Sequence, residues 1–92
     1  RPRFVTLGTI EPRKNHALLL DVWDSLPPPR PQLVVIGRRG WADQALFARI
    51  AATPDVAEFN TLDDGQVAAV LTGAQALLMP SFAEGFGLPL TE

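Results

Sequence analysis

The 92 residues contain no cysteine, which excludes a disulfide framework, a Cys-based zinc site and thiol redox chemistry, and is compatible with an intracellular, cytoplasmic setting. An excess of one charge is missing as well. Eight Lys and Arg stand against ten Asp and Glu, for a formal net charge of -2, with no run of like charges. This removes the electrostatic case for nucleic acid or an anionic membrane surface, so any anionic ligand must be held by local groups. No apolar run approaches the roughly 20 residues of a membrane span, and the first residues do not read as a charged-then-apolar leader. Internal repeats and low-complexity segments are absent. No His, Asp or Glu cluster has metal-ligand spacing, and no metal is expected. What remains is a chain 47% hydrophobic and 20% charged, the balance of a soluble globular protein. Its length allows one domain or part of one, burying roughly 60–65% of its unfolded surface.

In chain order, Phe4 to Leu7 is predicted as a strand that breaks at Gly8, and the loop from Gly8 to Lys14 leads to an N-cap at Asn15. Leu19, Val22, Trp23 and Leu26 recur at i, i+3, i+4 and i+7, the mark of a helix on a core, and Pro27-Pro28-Pro29 ends it. The proline run reads as a stiff connector, with a signalling-domain ligand as the other reading. Gln32 to Ile36 is continuously apolar and β-branched, as in a parallel strand covered on both faces. Trp41 to about Thr53 is a second helix with Leu46, Phe47, Ile50 and Ala51 inward, and Val56 to Phe59 a third strand. Asp63 with Gln66 forms a capping box, Leu62 can staple onto Val67, and the helix that follows turns Val67, Val70, Leu71 and Ala74 inward. Ala76 to Met79 is the fourth strand. It empties into Pro80 to Glu92, a glycine-punctuated loop with carboxylates at Glu84 and Glu92.

The order β-α-β-α-β-α-β with right-handed crossovers implies an α/β fold, a parallel sheet with helices on both faces. In the strand order 3-2-1-4 the winding reverses between strands one and four, which opens a crevice beyond their C-terminal ends. The loops Gly8 to Asn15 and Pro80 to Glu92 line it.

Arg13 and Lys14 precede a helix N-terminus, where aligned peptide dipoles favour an anion such as phosphate; the ordinary alternative is two solvated residues at a helix start. The loop is neither a P-loop, since Gly-x4-Gly-Lys-Ser/Thr is absent, nor a dinucleotide fingerprint. Glu84 and Glu92 admit a general acid/base reading, a hydroxyl-binding reading and a bland one, solvated loop and first-turn helix residue. His16 is expected to be exposed, with a phosphate contact as the other view. Arg38 and Arg39 lie on the ligand side of strand two and read as a solvated turn. Trp23 and Trp41 read as core or cover, Asp63 and Asp64 as capping residues.

Taken together, Gly8-Thr9-Ile10-Glu11-Pro12-Arg13-Lys14-Asn15, then Val34-Val35-Ile36-Gly37, then the Pro-Ser-x-x-Glu-Gly-Phe-Gly-Leu-Pro-x-x-Glu run from Pro80 to Glu92 resemble the C-terminal domain of family-4, GT-B fold glycosyltransferases. The match spans essentially residues 1–92, and its most specific element is the Glu-x7-Glu signature. The resemblance implies a truncated Rossmann-like, donor-binding half of a two-domain enzyme. Such an enzyme transfers a sugar from a nucleotide-diphosphate sugar with retention, without a metal or resident cofactor. Lys14 matches the lysine on the donor diphosphate, in a loop begun by Gly8, and Arg13 is assigned the same role, since Thr9 stands where many members place an arginine. Glu92 matches the carboxylate on the ribose hydroxyls and Glu84 the glutamate near the donor sugar. Backbone at Gly85, Phe86, Gly87 and Leu88 matches the wrap around sugar and phosphate, and Phe59 the segment that meets the base.

By the same resemblance an N-terminal acceptor domain, for a sugar or lipid-linked acceptor, is missing, and the chain alone is expected to be inactive. The enzyme carrying it is expected in the cytoplasm or at the membrane periphery. A GT-B epimerase and a non-catalytic nucleotide-sugar-binding module are the alternatives. The chain reads as a cut piece, so Ala76 to Met79 is expected to present an apolar edge that supports a homo-oligomer.

Overall fold

The computed structural model describes residues 2–11, 14–40 and 44–79. Seven elements alternate: β1 (Arg3–Leu7), α1 (His16–Ser25), β2 (Gln32–Ile36), α2 (Gln44–Ala52), β3 (Val56–Phe59), α3 (Asp64–Thr72) and β4 (Ala76–Leu77). All strand pairs are parallel, as the alternation of elements predicts, and the order is β3-β2-β1-β4, the common one expected for such a sheet. Arg3 to Leu7 runs in register with Gln32 to Ile36, and Leu33 to Ile36 with Val56 to Phe59. β4 is shorter than the expected 76–79. Phe4 and Val5 pair with Ala76 and Leu77, and two further bonds run from Gln75 N–H to the Arg3 carbonyl at 2.6 Å and from Leu78 N–H to the Val5 carbonyl at 2.7 Å.

Period-2 alternation divides the core between the two faces of the sheet. Leu33 and Val35 turn to one face and join Ile10, Leu19, Leu20, Trp23, Phe47 and Ile50, sealing α1 and α2 onto the sheet. Val34 and Ile36 turn to the other with Val5, where Leu62, Val67, Val70, Leu71 and Ala74 are half-buried around them. Asp63 caps α3 through the full capping box: its side chain accepts from Gln66 N–H at 2.8 Å, and its own N–H donates to Gln66 Oε1 at 2.9 Å.

Three burial assignments need correction, two inward and one outward. The buried stripe of α1 is His16, Leu19, Leu20 and Trp23, whereas Val22 is exposed. The stripe keeps the predicted spacing but starts at His16, which swings Val22 outward, and Trp23 is fixed in it by an Nε1–H bond to the Pro31 carbonyl at 2.9 Å. His16 is thus buried rather than exposed. On α2, Ala51 is exposed, and the helix buries only Phe47 and Ile50.

Candidate functional site

The winding of the sheet reverses between β1 and β4, and the loop leaving β1 lies at that point. Gly8 opens it with φ near 125°, a conformation L side chains rarely adopt, and its N–H donates to the Ile36 carbonyl at 3.0 Å. The tightest constraint is on the neighbouring strand: a Cβ at Gly37 would stand 1.8 Å from the Gly8 carbonyl oxygen. Two glycines therefore let the first turns after β1 and β2 touch. Ile10, wholly buried, pins the middle of the loop; its N–H donates to the Arg38 carbonyl and its carbonyl accepts from Gly40 N–H. Lys14 N–H donates to the Glu11 carbonyl, and Asn15 adopts the left-handed conformation (φ 57°, ψ 42°) from which α1 starts. Asn15 is thus the cap residue by position but makes no side-chain cap bond.

Phe59, 42% exposed, ends β3 on the same edge of the sheet, and its carbonyl accepts from Gly37 N–H at 3.0 Å. Asn60 Nδ2 donates to the Gly37 carbonyl at 2.8 Å and to Glu58 Oε2 at 2.7 Å. Both Glu58 oxygens also accept from Arg39, Oε2 from Nε at 2.9 Å and Oε1 from Nη2 at 3.0 Å. The Arg39 guanidinium lies 4.5 Å from the ring centroid of Phe47. Arg39 hydrogen bonding holds the Glu58 carboxyl below the ordinary glutamate range, with help from Asn60 and His16 and against the effect of burial. His16 sits 4% exposed at the head of α1, and among the described residues its Nδ1 has no hydrogen-bond partner. Burial pushes its pKa down from 6.5, with Lys14 adding to the effect and Glu58 opposing it.

Of the residues singled out from the sequence, Gly8, Lys14 and Phe59 thus come to one edge, at the C-terminal ends of β1 and β3. Arg13, Glu84, Gly85, Phe86, Gly87, Leu88 and Glu92 lie outside the described residues, as does Trp41. Arg39 is exposed in the turn after β2, as expected, but is also engaged with Glu58 and Phe47. The Arg39–Glu58–Asn60 network escaped sequence reasoning, although a signal existed. Glu58 shares a face with Val56 in a strand predicted to lie beside β2, whose C-terminal turn carries the two arginines. Among the described residues no group of three or more His, Cys, Asp or Glu could hold a metal, and no helix is long and apolar enough to cross a membrane. A cavity of about 350 Å³ lined by Pro2, Phe4, Pro29, Arg30, Pro31 and Gln75 opens at the opposite, N-terminal end of the sheet.

Residues 1–92 match the family model described as Glycosyl transferases group 1. A serotype-specific mannosyltransferase WbdA of Escherichia coli is 32% identical over 97 residues, which cover 99% of this chain and 12% of the relative. An O-antigen chain mannosyltransferase B of Escherichia coli is 35% identical over 92 residues, 94% of this chain and 24% of the relative. The chain therefore spans an eighth to a quarter of these proteins. No solved structure gives a significant match.

Proposed function

From a chain that belongs to the group 1 glycosyl transferases, we infer the nucleotide-sugar-binding part of a glycosyltransferase that acts with retention of configuration. The observation that carries the reading is the Gly8–Lys14 loop and the head of α1 at the reversal of the sheet, with the Phe59 end of β3 two strands away on the same C-terminal side. A nucleoside diphosphate needs a cationic cradle for its phosphates and a separate seat for its base; the loop with the head of α1 would serve as the first and the Phe59 end of β3 as the second. In this reading Lys14 and Arg13 meet the diphosphate, Glu92 the ribose hydroxyls, Glu84 and backbone at Gly85 to Leu88 the sugar, and the Phe59 segment the base. The named relatives, both mannosyltransferases, support mannose as the transferred sugar.

The chemistry asked of these residues is electrostatic. As the bond from the anomeric carbon to the diphosphate oxygen breaks, negative charge gathers on the leaving phosphate. A lysine and an arginine preceding a helix N-terminus would stabilise that charge in the transition state without moving a proton. No resident cofactor or metal enters the scheme, the donor being substrate. The acceptor and any base would come from a further domain, so the 92 residues alone should bind nucleotide weakly and turn nothing over; nucleotide release by them would refute this. The same piece, with β4 exposed at its edge, should self-associate, and a monomer by light scattering at high concentration would count against that.

The direct test is nucleoside diphosphate binding by the full natural protein after Lys14→Ala and after Glu92→Ala. Each lost charge-assisted contact should cost about 1.5–3 kcal/mol, roughly a 10- to 150-fold rise in Kd. Unchanged affinity in both variants overturns the site. Retention is checked by the anomeric configuration of the product made from a nucleotide-linked mannose.

A further inference from the structure

We propose that Arg39 is a positioning residue that sets the distance between the diphosphate loop and the base-binding end of β3; the proposal rests on the donor-binding reading above. Arg39 belongs to the turn after β2, between the two segments, and it is bound to both. Its backbone forms a parallel bridge with Ile10, inside the loop that ends in Lys14. Its side chain forks onto both oxygens of Glu58, the residue before Phe59. Asn60, just beyond Phe59, closes the ring by donating to the same Glu58 carboxylate and to the Gly37 carbonyl. The Phe47 ring against the guanidinium limits how far the arginine can swing. A continuous path of named contacts therefore runs from Ile10 through Arg39 and Glu58 to Asn60, with Phe59 held between its last two members.

A basic residue on the ligand side of the sheet invites a simpler role, direct binding of phosphate. The geometry argues against it. Nε and one Nη2 proton are engaged by Glu58 in a two-point fork, one face of the guanidinium is over Phe47, and the neighbouring carboxylate matches the charge of the arginine, so the outward Nη1 side offers phosphate no net positive charge. An arginine so placed measures a distance between backbone segments. A nucleoside diphosphate carries its base and its phosphates at opposite ends, so a spacing held at its working value lets both ends bind at once. When the brace is lost, each half-site persists but the two cease to cooperate.

The two roles predict opposite outcomes for Glu58. In the full natural protein, Kd is measured for UDP, GDP and ADP and for inorganic pyrophosphate, which engages the phosphate loop alone. Arg39→Ala and Glu58→Ala should each raise the Kd of the bound nucleoside diphosphate about five- to tenfold and that of pyrophosphate less than about twofold. Arg39→Lys keeps the charge and stem but not the fork, so it should fall between wild type and Arg39→Ala, and it covers the case in which the alanine variant fails to fold. If Glu58→Ala leaves nucleotide binding unchanged or tightens it while Arg39→Ala weakens both ligands alike, Arg39 contacts phosphate directly and the inference is overturned. It is also overturned if folded Arg39→Ala and Arg39→Lys both bind as wild type does. Wild-type protein that binds none of the three nucleotides instead refutes the donor-binding reading, and the positioning role with it.

Discussion

His16 is the chain's single histidine, and its burial at the head of α1 fixes the sign of one pH effect. Desolvation disfavours the imidazolium in the folded state, Lys14 does so further, and Glu58 only partly offsets them. The folded chain then binds this proton less readily than the unfolded chain. The contribution of His16 is fully present above 6.5, its ordinary value, and is lost as pH falls below it toward the lowered folded value. Glu58 acts in the same direction at lower pH: with its carboxyl held down by Arg39, its contribution is lost as pH falls through the carboxylate range. Urea unfolding at a series of pH values should therefore show stability rising between about pH 5 and 7. His16→Leu should flatten that rise and, by removing a buried atom without a described partner, leave stability at pH 7 equal or higher. Parallel pH profiles for the two proteins would show that another group carries the effect.

Among the elements, α3 depends most on its own ends. It buries no side chain, so the reciprocal bonds between Asp63 and Gln66 make up an unusual share of what holds it. Asp63→Ala should cost about 1 kcal/mol by chemical denaturation, and loss of far-UV helix signal should precede the main transition. A variant with wild-type stability would mean that packing on Val34 and Ile36 suffices. This cap was legible from residue types alone, because Asp, Gln and the flanking Leu62 and Val67 stand at fixed spacings within six positions. So were the parallel pairing of the strands and the inward Trp23, which follow from the alternation of elements and local periodicity, whereas the order 3-2-1-4 was the common choice and not a deduction. The unforeseen features depend on partners far apart in sequence. The burial of His16 at the head of α1 is a property of the packed fold, and the Arg39–Glu58 pair spans 19 positions, from the turn after β2 to β3. Periodicity within one helix could not place the stripe of α1 to within three residues either, since Val22 and Leu20 are both apolar and only the packed sheet chooses between them.

The whole molecule is built unevenly about its sheet. On the α1 and α2 face, eight buried residues form one cluster, with the T-shaped contact of Phe4 and Trp23 at 5.9 Å and exposed bonds from Arg49 of α2 to Asp21 and Asp24 of α1 along its rim. On the α3 face, among the described residues, only Val5, Val34 and Ile36 are buried, all of them strand residues, and α3 packs over them with no buried side chain of its own. Local stability follows buried apolar contact, so the two faces should not open together. Native-state hydrogen exchange should show the amides of α1 and β2 opening with free energies near the global value and those of α3 well below it. Mutation should divide the same way. Leu20→Ala, at 1% exposure, should cost about 2–5 kcal/mol, and Leu71→Ala, half-buried on the α3 face, should cost clearly less. The difference has a bearing on the site. The Gly8–Lys14 loop is anchored through Ile10 in the larger cluster, so the cationic loop should remain formed while α3 opens. Exchange of the Ile10 and Gly40 amides at the rate of α3 would refute that anchoring.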